Sequence, residues 1–175
     1  MSGYYFTGVY TMSKSVDQLV QTLDKEAEIY SELLTLSKQK REAIKNQNID
    51  QLEVMVGQEQ GLVVSLFKLE EIREKVVDKI MRDEKLDFVE NVTQLAQLLK
   101  SDDRNRILKS KDQLLVLVKN VNDETRFNQR LLEEKLALVN INIDLLTQSG
   151  IDAGTYGKKA NTEEGERRNL FDARV

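Results

Sequence analysis

At 175 residues the chain is long enough for one domain and short for two. It has neither cysteine nor histidine, which excludes a disulfide framework, thiol chemistry, the commonest general base, the usual zinc ligand and the Glu-x-x-His di-iron pattern. Its net charge is −4, with Lys and Arg interleaved among Asp and Glu, so no basic patch is offered to nucleic acid.

Residues 1–12, MSGYYFTGVYTM, hold four of the ten aromatic residues (Tyr4, Tyr5, Phe6 and Tyr10) without a helical period. Two readings fit: a loosely ordered terminus, as chain ends usually are, or an aromatic arm docked on the rest. Met12 as the true start is a third.

From Ser15 to Ser149 almost nothing breaks a helix. Proline is absent, and six of the eight glycines lie in the first ten residues or after Ser149. With 32% charged and 6% aromatic residues, the balance is that of coiled coils and helical bundles. The first helix is expected to start at Ser15, where Ser15 to Gln18 reads as a capping box. Val16, Leu19, Leu23, Ala27, Tyr30, Leu34, Ser37 and Ile44 follow at three- and four-residue steps, a heptad-like seam broken by Arg41. The polar run Asn46 to Asn48 supplies a stop and a restart. The second helix, to about Arg82, has the seam Leu52, Met55, Glu59, Leu62, Leu66, Leu69, Arg73, Val76 and Ile80. Val56, Val63, Phe67 and Val77 widen it to half the cylinder, a width suited to a bundle core. So short a loop makes the two helices an antiparallel hairpin. Gly57 and Gly61 each cost about 1 kcal/mol against Ala inside a helix. Close approach of the neighbouring helix is one reason to keep them, and a hinge or partner groove is the other.

A shorter amphipathic helix is expected over residues 86–100, with Phe88, Val89, Val92, Leu95, Ala96 and Leu99 on one face. Ser101 to Asp103 then caps a last helix running to about Gln148. Its main seam is Ile107, Leu114, Val118, Val121, Thr125, Leu132, Leu136, Val139, Ile143 and Leu146, with Lys111, Asn128, Lys135 and Asn142 as polar members. A second stripe appears only near the end: Phe127, Leu131, Leu138, Ile141 and Leu145, centred about 150° from the first. A bundle helix needs one stripe, so the first is assigned to the core and the second needs a partner of its own. Either another molecule covers it, or the short third helix or the aromatic arm does.

Gly150, Gly154 and Gly157 close the helical region, and the charged tail after them reads as disordered by composition. Leu170 and Phe171 are its apolar pair, either chance or a short docking motif. The longest apolar run, Leu114 to Val118, is far short of the ~20 residues that span a bilayer. The first dozen residues show no secretory signal. We therefore expect a soluble cytoplasmic protein without membrane insertion. The carboxylates fall on polar faces among Lys and Arg, except Glu59 and Glu134, which fill seam positions without a second acid or base around them. No paired carboxylates, metal-ligand spacing or phosphate loop emerge, so the expectation is a non-enzyme with no cofactor and no metal.

The stretch LDKEAEIYSELLTLSKQKREAIKNQNIDQLEVMVGQEQGLVVSLFKLEEIREKV resembles the FlgN family, the cytoplasmic flagellar export chaperones. The resemblance lies in the leucine-rich first helix, its Lys-x-x-Ala-Ile close, the Asp-x-Leu restart, Glu59 followed by Leu62, and Leu69-Glu70 with Arg73. FNQRLLEEKLALVNINIDLL and the TYG…LFDARV end extend it over Ser15 to Val175; the aromatic segment is outside the pattern. The resemblance implies a small helical protein that binds the C-terminal regions of hook-associated proteins. It would keep them unassembled and deliver them to the flagellar type III export apparatus.

The reading is thus an all-α fold: a long antiparallel hairpin, a short helix and a long C-terminal helix forming an elongated bundle. Residues 1–14 form an N-terminal segment, 15–149 a single helical domain and 150–175 a flexible tail. The expected partner-binding residues are Phe127, Leu131, Leu138, Ile141 and Leu145, helped by Leu170 and Phe171. The expected partners are hook-associated proteins and components of the export apparatus, with the chain itself a monomer or weak homo-oligomer. The alternative is a coiled-coil or oligomerising scaffold that uses the same seams on itself, with a regulator that sequesters a transcription factor as a third reading.

Overall fold

The computed structural model describes residues 13–153; the aromatic segment before them and the tail with Leu170 and Phe171 lie outside the described residues. The chain is all-α, with helices α1 (Ser13–Lys45), α2 (Ile49–Asp83), α3 (Val92–Leu98) and α4 (Ser101–Ala153), and no strand among the described residues. It divides into two units, one through Lys135 and one from Leu136 onward.

In the first unit α1 and α2 form the expected antiparallel hairpin. Three side-chain links fix its register: Ser15 to Asp83, Glu26 to Arg73 and Lys40 to Glu59. The turn is made by a Schellman closure of α1, in which Asn48 N–H donates to the Ala43 carbonyl at 2.9 Å and Gln47 N–H to the Ile44 carbonyl. Gln47 takes the left-handed conformation at φ 55°, a place glycine usually fills. Asn48 then caps α2, its side chain accepting from Gln51 N–H. The end of α2 repeats the device, with Lys85 at φ 53° and Leu86 N–H donating to the Met81 carbonyl.

Where α1 starts, α2 ends and α4 starts, α3 closes the main core. Val16, Leu19 and Leu23 of α1 meet Val76 and Ile80 of α2, Leu95 and Ala96 of α3, and Ile107 and Leu114 of α4. Leu19, Leu95 and Ile107 are fully buried. A smaller cluster near the turn joins Leu36, Ala43 and Met55, backed by Leu52 and Leu62.

Four local expectations are corrected. Ser15 is not a cap: it lies inside α1, and its hydroxyl donates to Asp83. The third helix is only Val92–Leu98, because its N-cap is Asn91, whose side chain accepts from Gln94 N–H while the Gln94 side chain accepts from Glu90 N–H. Phe88, left before that cap, is exposed, whereas Val89, Leu95, Ala96 and Leu99 are buried as expected. In α2, Val56, Val63 and Phe67 face solvent rather than widening the core; of that group Val77 alone packs against it. Gly57 and Gly61 are not sites of close helix approach, since a Cβ on either would meet nothing within 4 Å.

Candidate functional site

The packed face of α4 in the first unit follows a strict alternation of three and four: Ile107, Ser110, Leu114, Leu117, Val121, Glu124, Asn128, Leu131 and Lys135, all buried or half-buried. The inward face is apolar at its start and polar at its end. The expected seam shares Ile107, Leu114, Val121, Asn128 and Lys135 with this face, but its Thr125 and Leu132 are exposed.

Polar groups on α1 explain why the less apolar stripe turns inward. Arg41, which interrupts the α1 seam, pairs with the buried Glu124, and its guanidinium lies 4.8 Å from the centre of the Phe127 ring. Asn128 donates from Nδ2 to the Ser37 carbonyl at 2.7 Å. Charge-assisted and buried bonds of this kind are costly to leave unmade, so they set the rotation of α4 against a purely apolar alternative. The fit is incomplete: Asn128 Oδ1 and Arg41 Nε are buried without a hydrogen-bond partner. Of the expected binding residues in this unit, Phe127 is half-exposed under Arg41 and Leu131 is half-buried on the packed face. Asn128, expected as a polar member of the seam, is buried there, whereas Glu124 and its pairing with Arg41 carry no mark in the sequence. The seven-residue spacing of Ile107, Leu114, Val121 and Asn128 was the available signal for Asn128.

In the second unit every residue of α4 from Leu136 to Thr147 is exposed. Leu138, Ile141 and Leu145, the expected binding stripe, are 57%, 53% and 59% exposed. Leu136, Val139, Ile143 and Leu146, assigned to the core from the sequence, are equally open. Their exposure overturns that assignment. Asp144 is the one charged residue from Leu136 to Thr147, so the helix surface here is apolar on two sides. Full burial of a Leu or Ile side chain is worth about 1.5–3 kcal/mol, and monomeric proteins seldom leave so contiguous an apolar surface without a binding role. Glu134, expected within the stripe, is exposed, and Glu59 pairs with Lys40 at 2.6 Å.

Chemistry of other kinds finds little here. Among the described residues no group of His, Cys, Asp and Glu could hold a metal ion, and no helix is long and apolar enough to cross a membrane. One acid stands out. Glu26 of α1 is buried against Arg73, with Oε1 lacking a partner. Burial pushes its pKa up, Arg73 opposes this and nearby Glu70 adds to it. An ion pair across the hairpin accounts for that geometry.

Comparison with known proteins points one way. The model of the family described as FlgN protein matches residues 12–164. A relative from Bacillus subtilis (strain 168), named "Uncharacterized protein YvyG", is 25% identical over 168 residues, covering 92% of this chain and 99% of its own length. No solved structure matches.

Proposed function

This chain belongs to the FlgN family, and on that footing we propose that it is a cytoplasmic flagellar export chaperone. It binds the C-terminal regions of hook-associated proteins, holds them unassembled and delivers them to the type III export apparatus. The observation that carries this reading is the open apolar surface of α4 from Leu136 to Leu146. A subunit built to polymerise presents amphipathic terminal helices. A helix with apolar residues on two sides can cover such a segment in the manner of helix-in-groove recognition. No cofactor and no catalysis are required.

Leu138, Ile141 and Leu145 take up the client in this reading, with Phe127 and the tail's Leu170 and Phe171 assisting. The test is co-purification of hook-associated proteins with Leu138→Asp and Ile141→Asp variants. Loss of the client with unchanged helicity and melting supports the proposal. Undiminished binding by both variants sinks it. Leu131→Asp is the contrasting control, because that side chain lies on the packed face and its loss should also lower stability.

A further inference from the structure

The structure has a second open apolar face, on α2, and we propose that it pairs two copies of this chain in antiparallel register about Gln60 and Gly61. From Val54 to Phe67 the helix carries one charged residue, Glu59, and that one is turned toward α1 and paired with Lys40. The outward face is Val54, Val56, Val63, Val64 and Phe67, with Phe67 63% exposed. Gly57 lies on it and Gly61 at its edge, where it lines an open groove with Ser31 and Thr35 of α1, and each has open space where a Cβ would be. In a chain that is 32% charged, so long an uncharged outward stretch with two helix-weakening glycines is unexplained by the hairpin itself.

Its occupant is identified by self-complementarity. In an isologous pair each residue meets its reciprocal on the other copy. With the two-fold axis between residues 60 and 61, Gly57 faces Val64 of the second copy and Val64 faces Gly57, a projecting side chain set against a gap on both sides. On the flanks of that contact Ile49 lies near Phe67 of the second copy and Val54 near its Ile72, all four exposed. Charge selects the orientation. Glu53 and Lys68 bracket the patch, both exposed, and neither forms an ion pair among the described residues. The antiparallel register sets Glu53 against Lys68 twice, whereas a parallel pair sets Glu53 on Glu53 and Lys68 on Lys68. The same register brings Asp50 near Glu71; Asp50 sits in the first turn of α2, where the helix dipole favours it, and Glu71 has Lys68 and Lys75 one turn to either side. The paired span from Ile49 to Ile72 is roughly 36 Å of helix, enough for a concentration-dependent dimer.

The absence of cysteine makes the register directly measurable. In the full-length chain, Gln60→Cys should cross-link to its own copy under mild oxidation and Glu71→Cys should not. Cross-linking of both would mean parallel pairing and overturn the register. Sedimentation equilibrium should show a monomer–dimer equilibrium weakened at least about tenfold by Glu53→Lys and restored by adding Lys68→Glu, since two equivalent ion pairs become two repulsions. Gly57→Leu should weaken the dimer as much while raising the melting temperature of the dilute monomer, a combination that a folding defect cannot produce. A wild-type chain that stays monomeric at all concentrations, or a dimer indifferent to these changes, refutes the proposal and leaves the face to another occupant.

Discussion

Asn128 of α4 donates through Nδ2 to the backbone carbonyl of Ser37 on α1, at 2.7 Å inside the buried seam, while its own Oδ1 has no partner. This half-satisfied amide, together with Arg41 on Glu124, determines which face of α4 turns inward. A polar residue in a seam characteristically fixes register at some expense in stability.

Asn128→Ala should therefore destabilise the protein by about 1–2 kcal/mol, through a lost buried hydrogen bond and a small cavity. Asn128→Leu should be neutral or stabilising, because it removes the unsatisfied oxygen as well. Urea denaturation of both variants checks this. A Leu variant less stable than the Ala variant would show that the amide contributes more than orientation.

Most of the fold was legible in the sequence because the hairpin rests on local signals. Asn46 to Asn48 carry the turn and cap chemistry, and the apolar steps from Val16 to Leu23 and from Val76 to Ile80 carry the core. The rotation of α4 was not legible, because it depends on Arg41 meeting Glu124 across 83 residues of chain. Apolar periodicity favours Leu132 and Leu136 at those positions, and a nonlocal ion pair overrides it. The α2 face was misread for a related reason. Val56, Val63 and Phe67 look like core to any count of apolar residues, and only the positions of α1 and α3 show that nothing in the first unit covers them.

Glu26 gives the hairpin a pH dependence of definite sign. Its pKa in the folded protein is raised above the ordinary 4.5, first by burial, with Arg73 opposing and Glu70 adding to the rise. Between those two values the folded state binds more protons than the unfolded one, so this group's contribution to stability falls as pH rises through that window. Glu26→Gln, which cannot ionise, should lack that slope. Stability of the wild type relative to Glu26→Gln should thus decline from about pH 4 upward and level off above the raised pKa. Chemical denaturation at a series of pH values measures the difference, and a relative stability that increases over this range would contradict the assignment.

Gln47 offers a local test of the turn. At φ 55° it closes the α1 Schellman motif in a conformation that a Cβ disfavours. Its side chain is exposed, so replacement removes no packing. Gln47→Gly should raise stability by about 0.5–1 kcal/mol, the relief of left-handed strain less the extra chain entropy of glycine. Gln47→Val should lower it by about 1 kcal/mol or more, since a β-branched residue is least tolerated there. Thermal melting of the two variants should bracket the wild type.

The largest contrast should lie along α4 itself. Ile107 is fully buried in the main core, and Ile107→Ala should cost about 2–5 kcal/mol through lost transfer energy and a cavity. Ile141, of the same chemistry on the same helix, is 53% exposed, and Ile141→Ala should change stability by less than about 0.5 kcal/mol. Leu131, half-buried, should fall between them. Denaturant midpoints at constant m-value provide the comparison. The ordering separates the two roles, because an apolar residue that adds nothing to folding leaves its side chain available to another molecule. If Ile141→Ala were as costly as Ile107→Ala, the stretch from Leu136 to Leu146 would be core, and the client-binding surface would have to be sought elsewhere.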